Sequence, residues 1–198
     1  MSVTRTGLIL LCFLFSAAFL QAETRVFDID IANVKVGNMV VEKVVKDSLT
    51  IYIFRSEVDA WMLVRVHISH LITCIYKGEK LVKADIHSVI NKEIYNSTVM
   101  WNKDHYDFDC STYKYHKAGI LAESLDFSVV KMYFEEPTGK EKIFAENYGL
   151  ICPIRILKPS TYCLEVEKNK NTFHYSHGSV DHVDMETPLF NYVIRRKG

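Results

Sequence analysis

The sequence is poor in the two residue types that interrupt regular structure, and it carries no excess charge of either sign. Its 198 residues include only 8 Gly and 4 Pro, which excludes collagen-like and low-complexity chains. Lys+Arg and Asp+Glu both number 24, and this balance disfavours a nucleic-acid binder with a bulk positive field. Because 48% of the residues are hydrophobic, the chain is not a disordered tail and fits one domain with a sizeable core.

The sequence also lacks the short motifs of common catalytic and nucleotide-binding sites. No Gly-x-Ser-x-Gly elbow, Walker motif or Gly-x-Gly-x-x-Gly loop occurs. No cysteine and histidine pattern of a known catalytic type stands out either. We therefore expect a non-enzymatic protein without catalytic residues or a cofactor.

One long apolar run occurs, and it lies at the amino terminus. Residues 8–20 (LILLCFLFSAAFL) follow the single charge of Arg5, which is typical of a secretory signal peptide rather than a bilayer-spanning helix. With Ala22 as the small residue before the cut, we predict a signal peptide at residues 1–22 and a single β-rich domain at residues 23–198. The mature protein would lie in the periplasm or outside the cell, with no stable membrane span. The alternative is an uncleaved signal anchor.

Removal of this signal leaves an even number of cysteines: Cys74, Cys110, Cys152 and Cys163. In an exported protein, four cysteines allow two disulfides in three connectivities. Cys152 and Cys163 flank a turn signal at residues 158–160, so a hairpin could bring this pair together as a disulfide. Alternatively, the cysteines are buried free thiols that behave as small apolar side chains.

The rest of the chain alternates apolar and polar residues with a period of two, which predicts half-buried β-strands. Phe27, Ile29 and Ile31, for example, alternate with two aspartates. Such runs recur about every 10 to 14 residues, which indicates an antiparallel meander rather than a βαβ fold. The polar turns are predicted at residues 37–38, 47–48, 77–80, 91–92, 102–104, 158–160, 169–171 and 177–178.

One segment, residues 126–134, changes to the period of a helix. Four apolar side chains fall on one helical face there: Val129, Val130, Tyr133 and Phe134. Asp126 or Ser128 is the candidate N-cap, and Pro137 follows the end of the helix. The predicted fold is mainly β, a curved antiparallel sheet of about ten or more strands with one short helix, in the form of a half-barrel or open barrel.

The order of several short motifs resembles a known family. These motifs are FDIDI at 27–31, DFS at 126–128, MYFEEP at 132–137, AENYG at 145–149 and YSHG at 175–178. Together they resemble a family of small exported bacterial envelope proteins known only as a domain of unknown function. The resemblance covers nearly all of the mature chain. It implies a strongly curved antiparallel sheet with one short helix, similar to periplasmic lipoprotein carriers, and it assigns no activity and no functional residues.

Three carboxylates around the predicted helix are candidates if the domain has an active site. Glu135 and Glu136 follow the helix, and Glu146 lies in the loop beyond it. A carboxylate-dependent hydrolase of the glycosidase type needs two such groups in one cleft. The simpler interpretation is a helix end with solvated charges.

The densest group of metal-binding residue types lies near the carboxyl terminus: His174, His177, Asp181, His182 and Asp184. Zinc accepts imidazole and carboxylate ligands. However, His174 and His177 are three residues apart, so on an extended strand they point to opposite faces unless a turn intervenes. We therefore predict a solvated hairpin without metal ligands. A metal-dependent hydrolase that uses His174, His177 or His182 is the less favoured alternative.

Aromatic residues are abundant beyond the signal, with all 11 Tyr and 8 of the 11 Phe. Several stand two apart on predicted strands: Tyr52 and Phe54, Tyr106 and Phe108, Tyr113 and Tyr115. A many-stranded sheet with one short helix leaves a face uncovered, and that face needs a ligand, a lid or a partner. We therefore expect the concave face to bind an apolar or amphipathic, lipid-like ligand. The alternative is a module that docks on another envelope protein.

Overall fold

The computed structural model describes residues 21–61, 65–188 and 190–198. The first eight strands are β1 (Gln21–Ile31), β2 (Val34–Lys46), β3 (Leu49–Trp61), β4 (Arg65–Lys77), β5 (Lys80–Ile90), β6 (Glu93–Asn102), β7 (His105–Ser111) and β8 (His116–Leu121). A single helical turn follows, α1 (Val129–Met132). The remaining strands are β9 (Lys142–Ala145), β10 (Leu150–Lys158), β11 (Thr161–Val166), β12 (Asn169–Ser176), β13 (Ser179–Glu186) and β14 (Asn191–Arg196).

All of these strands belong to one antiparallel sheet, which confirms the predicted mainly β fold. The order across the sheet is β8-β7-β6-β5-β4-β3-β2-β1-β14-β13-β12-β11-β10-β9. Because β1 pairs with both β2 and β14, the two ends of the described chain meet in the middle of the sheet. The two edges are therefore β8 and β9, and the segment that joins these edges contains α1.

This joining segment fills the inside of the curved sheet, and we call residues 125–141 the plug. Its buried apolar side chains are Leu125, Phe127, Val130, Met132, Tyr133 and Phe134, and Ile143, Phe144 and Ala145 of the adjoining edge strand β9 are buried as well. The ring of Tyr133 lies 5.6 Å from the ring of Phe27 and 5.7 Å from that of Phe173, so it contacts both halves of the sheet. Full burial of each such large apolar side chain stabilises the fold by roughly 1.5–3 kcal/mol.

The two edge regions of the sheet approach each other through the turn between β9 and β10. Tyr115 donates a hydrogen bond from its hydroxyl to the carbonyl of Tyr148, at 3.0 Å. Gly149 packs against β7 so closely that an added Cβ would lie 2.9 Å from Cys110 Sγ and 3.2 Å from a ring carbon of Phe108. The sheet is therefore barrel-like, and packing of side chains closes it.

Two predicted turns lie inside strands instead. Gly37 and Asn38 belong to β2, and the turn lies at residues 32–33. Gly37 is required where β2 passes β3, because a Cβ there would lie 2.2 Å from the carbonyl oxygen of Glu57. Residues 169–171 likewise begin β12, and the preceding turn uses Glu167 and Lys168 with positive φ. The other predicted turns occur as expected.

Three further features concern the edges of the sheet and the ends of elements. Strand β7 ends at Ser111, after which the chain turns and forms β8. The polar segment at residues 138–142 leads into the short strand β9. Of the predicted signal peptide, only Gln21 and Ala22 lie within the described residues, where they begin β1.

Candidate functional site

Glu135 lies at the end of α1 in a cluster of polar side chains. Its Oε1 atom accepts hydrogen bonds from Lys43 Nζ at 2.9 Å and from the Tyr52 hydroxyl at 2.8 Å. Burial raises the pKa of Glu135, but the hydrogen bonds from Lys43 and Tyr52 outweigh it, so the pKa lies below the ordinary value. Glu135 is therefore a charged anchor between the plug and the neighbouring strands β2 and β3.

Glu136 turns towards the opposite half of the sheet. It accepts a hydrogen bond from the hydroxyl of Tyr162 on β11 at 2.9 Å. Glu135 and Glu136 thus tie the plug to two different halves of the sheet. They do not face each other across a cleft, as a glycosidase pair would.

Glu146 is almost completely buried, with 1% of its surface exposed. Its carboxylate accepts hydrogen bonds from the backbone N–H groups of Val129 at 3.1 Å and Val130 at 2.9 Å. Ser128 holds the N-cap position of α1 but makes no side-chain capping bond. Glu146 therefore caps the helix from a distant part of the chain. Burial raises its pKa to about 7, against the opposing effect of these backbone bonds.

Two of the predicted histidines lie side by side on the outer face of the sheet. His174 on β12 pairs directly with His182 on β13, and their rings stack with centroids 4.1 Å apart. His174 Nε2 lies 2.8 Å from Asp184 Oδ2. His177 does not join this group, because it lies in the turn at residues 177–178 with its Nδ1 atom 3.0 Å from Ser176 Oγ. Of the three histidines named from the sequence, the hairpin register brings only His174 and His182 together.

The predicted disulfide between Cys152 and Cys163 is not formed, since both cysteines are buried free thiols. Cys152 belongs to the inner core. Cys163 instead lies beside Arg155, whose guanidinium is 3.8 Å from its sulfur. Because Cys152 and Arg155 are three residues apart on β10, they point to opposite faces. The sheet therefore separates the two sulfur atoms.

The inner face of the sheet carries a group of apolar side chains outside the core that the plug fills. The group lies where β3 and β5 end and β4 begins. We call it the tip stripe, and it consists of Val58, Ala60, Val66, Ile68 and Ile90. Val58, Ile68 and Ile90 are direct cross-strand neighbours, as are Ala60 and Val66. Val66, Ile68 and Ile90 are only half-buried and lie outside the main core cluster. In the sequence, the signal for this surface is the period-two alternation in which Val66 and Ile68 share one face of β4.

A polar group separates the tip stripe from the plugged core. His70 pairs across the strands with Ser56 and Ser88, and its Nδ1 atom lies 2.7 Å from Ser88 Oγ. Burial lowers the pKa of His70 to about 4, so the ring is neutral at neutral pH. The inner face thus combines apolar side chains with a few uncharged polar groups, as ligand-binding surfaces commonly do.

Two shallow hollows lie elsewhere on the surface of the described residues. One, of about 300 Å³, lies at the β12–β13 turn beside His177 and Asp181. The other, of about 280 Å³, lies over the middle of β4, β5 and β6 beside Leu71 and His87. No plug residue lines either hollow, so neither leads into the interior. Within the described part of the chain, no helix has the length and apolar character that crossing a membrane requires.

Comparison with known proteins supports the fold and the family. The structure is similar to the crystal structure of a β-barrel-like protein of domain of unknown function DUF1849 from Brucella abortus, with a TM-score of 0.55 and 11% sequence identity. The match covers 91% of this chain and 98% of that chain, and at this identity it shows the fold alone. No curated protein matches the sequence. The family model described as "Domain of unknown function (DUF6134)" matches residues 27–197, which confirms the predicted resemblance to a domain of unknown function. The chain therefore belongs to the DUF6134 family.

Proposed function

We propose that this domain is exported and binds an apolar or amphipathic, lipid-like molecule at the tip stripe, without catalysing a reaction. The observation that carries the proposal is the half-buried apolar inner face formed by Val66, Ile68 and Ile90, which lies outside the core cluster. Apolar surface that a folded chain leaves uncovered in one continuous group commonly contacts a ligand or partner.

The plug determines where on the inner face a ligand can bind. It packs against Tyr52 and Tyr76, near the opposite ends of β3 and β4 from the tip stripe, and Lys131 of the plug lies 4.8 Å from the ring of Tyr76. The centre of the concave face is therefore filled by the protein's own side chains. The proposed site is accordingly narrower than the whole concave face that we expected from the sequence.

The polar group beneath the tip stripe suits the uncharged part of an amphipathic ligand. His70, Ser56 and Ser88 offer hydroxyl and imidazole hydrogen-bonding groups next to an apolar surface. Because burial keeps the His70 ring neutral, the group favours a polar head that forms hydrogen bonds over one that needs an ion pair. A glycerol ester or a similar neutral lipid has this chemistry.

Export is supported by the position of the apolar amino-terminal run. Residues 8–20 lie directly before β1, and a cut after Ala22 would remove only two of the eleven residues of that strand. We expect the intact mass of protein recovered outside the cytoplasm to correspond to residues 23–198. Recovery of the full chain in the cytoplasm, with Met1 retained, would contradict export.

Ligand binding is tested most directly on protein purified without detergent from its native compartment. We expect mass spectrometry of an organic extract to show one enriched class of lipid. Ile68→Glu places a charge in the tip stripe and should lower the retained lipid at least about tenfold, because an unpaired charge is costly on an apolar surface. Leu71→Glu is the matched control, since Leu71 is an exposed apolar residue of the same strand that faces outward and pairs with Arg55. Equal lipid in both variants, or none in the wild type, would overturn the proposal.

A second candidate function is docking of an envelope protein on the free edge strand β8. Most of β8 is exposed, and Ile120 on this strand has 68% of its surface accessible. Exposed edge strands offer unpaired backbone groups to an added strand. Site-specific crosslinking from position 120 in whole cells should then capture a partner protein, and the absence of any captured protein from this position would contradict docking on β8.

A further inference from the structure

The structure assigns a site for one divalent transition-metal ion, of the zinc type, to His174, His182 and Asp184 on the outer face of the β12–β13 hairpin. The site is separate from the tip stripe, and it does not depend on the proposed lipid binding. The sequence places these residues near one another, but they come from two strands, and only the register of the folded hairpin selects these three from the group.

The register of the hairpin brings the three side chains together. His174 is the cross-strand partner of His182, and Asp184 follows His182 by two residues, so both lie on the same face of β13. One potential ligand atom from each residue lies within 4.8 Å of the others. Ligand atoms of a tetrahedral zinc ion are about 3.3 Å apart, given metal–ligand distances of about 2.0–2.2 Å. To bind one ion, the ligand atoms must move closer together and the two stacked rings must tilt until both nitrogen atoms point at it.

A neighbouring carboxylate already orients one of the ligands. His182 Nδ1 lies 2.7 Å from Asp181 Oδ2, which leaves the Nε2 atom of His182 for a metal. This is the carboxylate–histidine–metal arrangement that fixes the tautomer of ligating histidines in metalloproteins.

The donor set and the exposure of the site determine which ions it suits. Two imidazoles and one carboxylate favour Zn²⁺, Cu²⁺, Ni²⁺ or Co²⁺ over Mg²⁺ and Ca²⁺, which prefer oxygen ligands throughout. The side chains of His174 and His182 are 23% and 26% exposed, so solvent reaches the site. Three protein ligands leave at least one position for water or an external ligand.

The neighbouring strands place one cation beside the site. Arg195 on β14 is the cross-strand partner of His182, whereas Thr161 on β11 pairs with His174 and Val193 pairs with Asp184. The positive charge of Arg195 on the adjacent strand weakens the attraction of the site for a metal ion, and it attracts an anion to the open coordination position of that ion. The site therefore suits a metal ion that carries an anionic fourth ligand.

Zinc binding by the untagged, metal-free mature chain tests the assignment. We expect one zinc ion per chain by elemental analysis after gel filtration, and competition with a chromogenic chelator gives the affinity. His174→Gln, His182→Gln and Asp184→Asn should each weaken binding by more than Asp181→Asn, for which we expect a loss of roughly 10- to 100-fold. Circular dichroism establishes that each variant is folded.

His116→Gln is the matched control. His116 Nε2 lies 2.6 Å from Asp109 Oδ1 on neighbouring strands, which is a cross-strand histidine–aspartate pair without a second histidine. This variant should bind zinc as the wild type does. Equal zinc binding by wild type and His182→Gln, or an equal loss in His116→Gln, would overturn the site. Lipid retention should be unchanged in all of these variants, so the test does not depend on the proposed function.

Discussion

At the scale of single residues, Glu146 shows how burial changes the role of a carboxylate. Its raised pKa, about 7 against an ordinary 4.5, means that the native state keeps a proton that the unfolded chain has already released. The stabilising contribution of this group is therefore complete below pH 4.5 and is lost as the pH rises through about 7. The total loss is roughly 3 kcal/mol, at 1.36 kcal/mol per pKa unit.

Glu146→Gln should remove this pH dependence. The amide stays neutral, and it retains one oxygen acceptor for the N–H groups of Val129 and Val130. We expect the variant to gain stability relative to the wild type as the pH rises from 4.5 to 7, measured by urea unfolding. The free energy of unfolding must be compared as the difference between variant and wild type at each pH. Burial lowers the pKa of His70 to about 4, and this group makes both proteins more stable as the pH rises. A difference that is constant with pH would contradict the prediction.

At the scale of elements, α1 is too short to satisfy its own backbone, and the sheet supplies the missing partners. The last carbonyls of a helix have no partner within the helix. Here Tyr175 donates its hydroxyl to the carbonyl of Met132 at 2.8 Å, and Arg25 donates Nη1 to the carbonyl of Tyr133 at 2.7 Å. Both ends of α1 thus depend on distant residues, with Glu146 at its start.

Tyr175→Phe should therefore destabilise the protein although it removes a single oxygen atom. The carbonyl of Met132 would remain buried without its donor, which costs about 1–3 kcal/mol. Tyr95→Phe is the control, because the Tyr95 hydroxyl pairs with Glu93 on the surface, and its effect should stay within about 0.5 kcal/mol. Equal unfolding midpoints for the two variants would show that the hydroxyl of Tyr175 does not hold the plug.

The same dependence on distant partners explains what the sequence could and could not predict. Period-two alternation located most of the strands, and of the two candidate N-caps, Asp126 and Ser128, the structure selects Ser128. Alternation could not predict β9, whose four residues form a strand only because β10 pairs with them. The three carboxylates were expected to be solvated charges at a helix end, whereas Glu146 is buried, and its burial depends on tertiary packing that the local sequence does not show. The partnership of His174 with His182 required the register of a hairpin, which local pattern does not fix.

At the scale of the whole molecule, closure of the sheet depends on a small contact region between its two edges. The turn between β9 and β10 lies against β7, where Cys110 Sγ is 3.9 Å from the carbonyl oxygen of Glu146. Tyr115 and Tyr148 pack with ring centroids 6.4 Å apart beside it. Because no strand ladder joins β8 to β9 within the described residues, these contacts hold the barrel-like shape in place of backbone hydrogen bonds.

Gly149→Ala tests this closure, because the added methyl group would enter the contact. Gly149 has a φ of 61°, and its Cβ would lie 2.9 Å from Cys110 Sγ. Gly178→Ala is the matched control, with a φ of 72° and no atom within 4 Å of the added Cβ, so it reports the left-handed strain of about 1–2 kcal/mol alone. We expect Gly149→Ala to lose about 1–3 kcal/mol more than this control, the typical range for overpacking.

Adding Cys110→Ala should recover part of that excess, because it removes the sulfur atom that the methyl group would meet. If the two glycine variants unfold at the same denaturant concentration, the β9–β10 turn does not close the sheet, and the plug alone holds its two edges together.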